Sequence, residues 1–354
     1  MSKKHIVLHT APHVKKPQDV PTIMRHVVYA LLPIVAFAVY QFGISVLALV
    51  IVTTLACLGT ERFFNWMGNK PSSLSDWSST ISGILLALTL PPGFPLWMAA
   101  VAGIAGIAIG KAVFGGIGYN VFNPALVGRA FVQAAFPVAI TTWTPAFFTG
   151  RFSEFVPSSL TAPFMMPPET TEWVKQVAVD GFSGATPLSL HKFQHLSTSP
   201  MDLFTGTVAG SAGETSALLI LVCGMYLVIR KMMNWQIPAW IFVGVVATSG
   251  VLYLINPDKY ADPVFMLFSG GLMLGAMFMA SDMVGSPLTP KGVMIYGLLI
   301  GFLTVLIRQF GSLSEGIMYA ILLGNAMTPL IDTWTQPRLF GAQPKSAQSK
   351  GRAA

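Results

Sequence analysis

Ten apolar segments, cut short by Pro- and Gly-rich breaks, limit what this 354-residue chain can become. They cover residues 27–42, 44–58, 81–90, 96–109, 124–140, 217–229, 237–255, 264–280, 293–307 and 317–331. Charged residues make up only 10% of the chain, whereas soluble domains carry about 25%. Too little polar surface is left to cover a water-soluble body of this size. The mean hydropathy of +0.64 agrees, and the chain reads as an all-α polytopic membrane protein.

A full span needs about 20 residues. Several segments fall short, and 81–90 is half a span, followed by Pro91-Pro92-Gly93-Phe94-Pro95. That run predicts a re-entrant or broken helix. Ten crossings place both chain ends on one side. With that side in the cytoplasm, 16 of the 21 Lys and Arg fall inside; Arg151, Lys175, Lys192, Lys259 and Arg308 fall outside. The excess of basic residues on cytoplasmic loops supports this orientation. The net charge of +7 therefore describes membrane topology. No basic face suited to nucleic acid is visible, and the partner it implies is the lipid bilayer. The polar, basic start continues directly into the first span, which predicts no cleaved leader. In a bacterium the expected location is the inner membrane, multi-pass, with cytoplasmic termini.

The resulting organisation is a basic cytoplasmic tail (1–26), a first five-helix repeat (27–140), a long periplasmic loop (141–216), a second five-helix repeat (217–333) and a cytoplasmic tail (334–354). Two internal echoes support the halves. Ser82-Gly83-Ile84-Leu85-Leu86, a Pro-rich break, a span and Asn123-Pro124-Ala125-Leu126 form one unit. Ser269-Gly270-Gly271-Leu272-Met273, a break at 281–290, a span and Asn325-Ala326-Met327-Thr328-Pro329-Leu330 form the other. One unit starts outward and the other inward. This is a five-plus-five inverted repeat, an architecture that builds sites at broken helices near the midplane.

Polar residues at membrane depth mark candidate sites. Asn120 and Asn123 are three apart, which puts them on one helical face, and Pro124 at a first helical position makes Asn123 its cap. Such amides suit a planar, hydrogen-bonding ligand, or simply close a Gly-rich turn. Asp282 lies at a break, as a candidate for an ion or a ligand N–H. Arg129, five residues into its helix, calls for an acid or a cofactor. Glu61, Lys111 and Asp332 fall at inner boundaries, where snorkelling accounts for them. Cys57 and Cys223 lie in apolar runs, which excludes a disulfide framework and an iron–sulfur cluster held by this chain alone. His191 and His195 offer too few ligands for a metal, and the His5, His9, His13 series is interrupted by Pro12. No hydrolase triad or P-loop can be assembled.

The loop carries the most specific signal, Asp180-Gly181-Phe182-Ser183-Gly184-Ala185-Thr186. Gly and Ala leave space for a bulky group to approach the Thr186 hydroxyl. Chemistry alone says only that this threonine suits modification. With Pro187-Leu188, and with Gly118-Tyr119-Asn120-Val121-Phe122-Asn123-Pro124-Ala125-Leu126-Val127-Gly128-Arg129, the chain resembles the RnfD (RsxD) component of the Rnf ion-translocating oxidoreductase complex. The related NqrB component of the sodium-pumping quinone reductase has a longer N-terminal region.

The resemblance implies FMN joined to Thr186 through a phosphoester, with Asp180, Ser183, Gly184 and Ala185 recognised by a flavin transferase. It implies a second, non-covalent flavin, riboflavin, contacted by Asn120, Asn123 and Asp282. Electrons would cross the membrane through both, coupled to ion translocation. The other subunits of a multi-subunit complex would supply the electrons, and the chain would be inactive alone. A secondary transporter or channel with inverted repeats is the competing reading. It accounts for the broken helices and Asp282 but leaves the Thr186 motif idle.

Overall fold

The computed structural model describes residues 19–168, 170, 173–174, 186–194, 198–206, 208–214, 216–257, 259–311 and 313–337. Among them no strand forms, and each of the ten apolar segments is largely helical, 124–140 being broken at Phe136. The first half contains α1 (Val20–Phe42), α2 (Ile44–Met67), α3 (Ser78–Thr89), α4 (Leu96–Ile107), α5 (Pro124–Ala135) and the short α6 (Pro137–Thr141). The loop contributes α7 (Pro187–Gln194) and α8 (Pro200–Thr205). The second half contains α9 (Ala217–Ile229), α10 (Gln236–Ile255), α11 (Pro263–Phe268), α12 (Leu272–Leu274), α13 (Pro290–Phe310) and α14 (Ile317–Thr335). Helices α1, α2, α10 and α13 are long and apolar enough to cross a membrane unaided.

The described parts of the long loop pack against one end of the bundle. Phe147 N–H donates to Gln41 O at 3.0 Å and Ile44 N–H to Arg151 O at 2.9 Å, across the α1–α2 junction. Gly43 makes that junction, at φ +78°; a Cβ there would fall on the Arg151 carbonyl. The start of α1 lies at the other end, the tail end. There His26 Nδ1 shares a 2.7 Å hydrogen bond with Tyr226 Oη near the end of α9. Hence α1 and α9, the first helices of the two halves, run in opposite senses, as an inverted repeat requires.

Glycine sets how closely the helices approach, because lipid tails offer no hydrophobic drive for helix association. Gly297 and Gly301 of α13 lie against α10: a Cβ on Gly301 would sit 2.6 Å from Ile241 O and 2.8 Å from Val245 N. The contact atoms are backbone and cannot rotate away. Gly301→Leu is expected to destabilise the protein by about 3 kcal/mol, the upper range for overpacking. At Gly59 a Cβ would meet nothing within 4 Å, so Gly59→Leu should be neutral. Thermal unfolding in one detergent compares them; equal midpoints would refute the close-packing account.

The breaks are only partly where they were expected. Helix α3 has 12 residues, about 18 Å of rise, well short of a ~30 Å hydrocarbon core. It stops at the proline run, as predicted, and residues 90–95 form a buried turn before α4. The segment expected as one span over 264–280 is instead divided: Ser269, Gly270 and Gly271 interrupt it between α11 and α12, with Gly270 at φ +62°. The echo with Ser82-Gly83 is therefore not structural, since that pair lies inside continuous α3. Two π-helical turns also appear, Ala108–Ala112 after α4 and Gly275–Met279 after α12.

Candidate functional site

A cleft of about 830 Å³, counting the space at its mouth, opens at the tail end among α1, α3, α5, α9 and the segment after α12. Ligand pockets combine apolar walls with a few polar groups. Its apolar wall includes Ile23, Met24, Val27, Ile81, Leu85, Leu227, Met232, Met233, Met277 and Phe278. The polar groups are Ser78, Ser82, Lys111, Asn120, Asn123, Ser281 and Asp282. Asn120, Asn123 and Asp282, chosen from the sequence, thus line one cleft. The two asparagines come from the first half of the chain and the aspartate from the second.

Local chemistry explains each position. Gly115, Gly116 and Gly118 all take positive φ, so the chain turns sharply ahead of α5. Asn120 and Asn123 do not share a helical face; they lie in this turn. Asn123 caps α5, its Oδ1 accepting from Ala125 N–H at 3.0 Å, while its Nδ2 donates to Met279 O at 3.2 Å. One side chain therefore closes a helix and ties it to the π turn after α12. Asn120 Nδ2 donates to Phe122 O at 3.2 Å, and its side chain lines the same cleft as Asp282. Asp282 accepts from Val284 N–H at 3.4 Å. Asp332, expected to snorkel, holds the same segment by accepting from Leu288 N–H at 3.1 Å.

Asn325 was legible only as half of an echo. With its amide oxygen turned toward α5 it accepts from Asn123 N–H at 3.2 Å, and its nitrogen donates to Tyr296 Oη at 2.8 Å. The two echoed asparagines thus meet where the halves join.

Lys111 and Glu61 correct the snorkelling expectation. Both are buried, at 4% and 5% exposure. Lys111 Nζ lies 2.5 Å from Glu61 Oε1 and donates to Ser78 Oγ at 2.6 Å. Glu61 also accepts from Ser73 Oγ at 2.6 Å. The π turn delivers Lys111 into the wall of the same cleft. A π-helical distortion has no hydropathy signature, so the sequence showed only a charge near a helix end.

At the loop end, Asp180, Ser183, Gly184 and Ala185 lie outside the described residues, as does His195. Thr186 is described, and it departs from the open hydroxyl expected: it is 5% exposed. It caps α7, with Oγ1 accepting from Ser189 N–H at 3.3 Å and sharing a 2.9 Å bond with Ser189 Oγ. The start of a helix favours negative charge, so the position suits a phosphoester. Helix α7 is clamped to the bundle. Lys192 Nζ donates to Arg308 O, Gly311 O and Leu313 O at 2.9, 2.5 and 2.9 Å, satisfying carbonyls at the end of α13.

Arg129 finds its acid in Glu214, 3.7 Å away, and also donates to Thr89 O at the end of α3. Glu214 escaped the sequence reading. An isolated acid in the small-residue stretch Gly210-Ser211-Ala212-Gly213, just before a span, was the available signal. Both cysteines are buried and free, as expected. Among the described residues no group of acids, histidines and cysteines could hold a metal.

Comparison with known proteins adds an independent finding. The profile of the NQR2, RnfD, RnfE family matches residues 7–341. The D component of the proton-translocating ferredoxin:NAD(+) oxidoreductase complex of Clostridium ljungdahlii is 39% identical, over 96% of this chain and 98% of that protein. The D component of the Na(+)-translocating ferredoxin:NAD(+) oxidoreductase complex of Acetobacterium woodii is 35% identical, over 99% and 100%. The D component of the ion-translocating oxidoreductase complex of Alcanivorax borkumensis is 35% identical, over 95% and 97%.

Proposed function

The chain belongs to the NQR2, RnfD, RnfE family, and from that premise we propose that it is the flavin-carrying membrane subunit of an ion-translocating oxidoreductase complex. The relatives' names support the coarser part, a redox subunit within an ion-translocating electron-transport assembly. One relative is named for protons and another for Na⁺, so overall similarity does not select the ion. The finer part concerns two flavins, FMN on Thr186 and riboflavin in the tail-end cleft. Bound flavin supplies the electron chemistry, and the protein supplies position and potential.

The observation that carries this reading is the convergence of Asn120, Asn123 and Asp282 in one apolar-walled cleft. Amide donors and acceptors next to a carboxylate match the alternating acceptors and N–H of a flavin ring edge, and Lys111, paired with Glu61, lines the same cleft. Thr186 sits at the opposite end of the bundle. The two proposed centres thus lie at opposite ends of the bundle, an arrangement suited to carrying electrons across a membrane. We place the tail end in the cytoplasm and the loop in the periplasm of a bacterial inner membrane. The other subunits deliver electrons, and a flavin transferase matures the Thr186 site. The transporter alternative fits the broken helices equally well but gives Thr186 no role.

Riboflavin titration onto the purified chain, followed by flavin fluorescence, tests the cleft. Asn120→Ala and Asp282→Ala should each weaken binding about tenfold, equivalent to ~1.4 kcal/mol, the scale of one lost hydrogen bond. Unchanged binding in both variants would remove the cleft assignment.

A further inference from the structure

Two arginines and two glutamates are buried together at the loop end, away from the cleft. Arg129 of α5, Glu214 just before α9, Arg308 of α13 and Glu315 just before α14 are each at most 8% exposed. Each arginine caps an interrupted helix. Arg129 donates to Thr89 O of α3, and Arg308 donates to Met266 O at 2.7 Å and Ser269 O at 2.9 Å, at the end of α11. Both arginines stand off from the acids: Arg129–Glu214 is 3.7 Å and Arg308–Glu315 is 3.8 Å.

The two carboxylates converge on one stretch of backbone. Glu315 Oε1 accepts from Gly271 N–H at 3.0 Å, and a Cβ on that same Gly271 would lie 2.7 Å from Glu214 Oε1. Around them Arg129 Nε, Arg308 Nε, Ser211 Oγ and Ser269 Oγ have no partner within the protein. Thr89, Arg129, Glu214, Gly271 and Glu315 line a small space there. Buried polar atoms of this kind are matched by internal water, so the space is chemically suited to pass a proton. Two carboxylates held together repel each other, and binding one cation relieves that repulsion. A metal cation would need several oxygens and would sit beside two guanidinium groups. A proton needs only one carboxylate oxygen.

We propose that Glu214 and Glu315 form a proton-binding site that holds one proton between them. Hydronium from the loop end gives its proton to a carboxylate, leaving water and a neutral carboxyl, and the four-residue cluster moves from net zero to +1. Burial pushes the Glu214 carboxyl up to about 7, neighbouring Glu315 adds to the rise, and Arg129 opposes it. Among the described residues, Tyr319 of α14, near Arg129, and Lys192 of α7, bonded to Arg308 O, are ionisable neighbours. Leu188 of α7 and Glu315 both abut Gly270, so a charge placed on the Thr186 helix would be felt at this site. The site does not depend on Thr186 carrying a flavin.

Infrared titration of the purified full-length chain in deuterated buffer tests it, with ¹³C-glutamate labelling to separate glutamate from Asp282. The wild type should show one isotope-shifted protonated-carboxyl band below about pH 6, fading as the pH rises through about 7. Glu214→Gln should lack that band. Glu315→Gln should titrate about one pH unit lower, the neighbouring repulsion being gone. If Glu214→Gln does not fold, the labelled wild type decides alone. Absence of a titrating glutamyl band, its persistence in folded Glu214→Gln, or its loss on adding Na⁺ at constant pH would each overturn the proposal.

Discussion

Thr186→Ala should leave this chain dark in a denaturing gel, against a fluorescent flavin band from the native chain, both co-expressed with a flavin transferase. A phosphoester requires the hydroxyl, so the expected loss is complete. Structural damage does not offer an alternative explanation for such a result. Thr186 caps the eight-residue α7, and removing a threonine cap costs about 1 kcal/mol. That is too little to unfold the protein, and Lys192 still clamps α7 to the end of α13 through three carbonyls. Ser189→Ala removes the hydroxyl bonded to Thr186 Oγ1 and should keep the fluorescent band. A dark native chain would refute the covalent flavin while leaving the family membership intact. A band that survives in Thr186→Ala would move the attachment to another residue.

Lys111→Ala should destabilise the protein by about 3–5 kcal/mol, because it leaves the Glu61 carboxylate buried without its cation. The geometry supports the upper part of that range: both groups are at least nine-tenths buried and 2.5 Å apart, with further hydrogen bonds from Ser73 to Glu61 and from Lys111 to Ser78. Replacing both together, Lys111→Met with Glu61→Leu, should be near neutral, since apolar pairs of similar volume substitute well for buried ion pairs. Thermal unfolding of the three variants in one detergent reads the contrast. A single-variant loss below about 1 kcal/mol would be the behaviour of a solvent-exposed pair and would return Lys111 to the snorkelling role expected from its sequence position. Lys111 also lines the cleft, so the double variant should bind riboflavin more weakly than wild type despite its stability.

Some features needed no tertiary information. Ten apolar segments with few charges dictate a membrane bundle, because hydropathy and the backbone's demand for hydrogen bonds act within each segment. The Asn-Pro pair at 123–124 predicted a helix start, and Asn123 caps α5. The proline run after Leu90 predicted the end of α3. Asn120, Asn123 and Asp282 stood out because polar residues at membrane depth are expensive, and that cost is readable one residue at a time.

Other features depend on partners distant in the chain. The break at Ser269, Gly270 and Gly271 is held open by Arg308, some forty residues away, whose guanidinium occupies the carbonyls of α11. Glu61 and Lys111 looked like boundary charges until the π turn brought them together. The Thr186 hydroxyl looked open from its small neighbours, yet it is buried as the cap of a helix docked on α13. Segment type and the identity of costly polar residues follow from local periodicity and solvation, so the amino-acid order alone determines them. Which of those residues become neighbours follows from long-range packing of opposed half-bundles, and only the folded chain decides that.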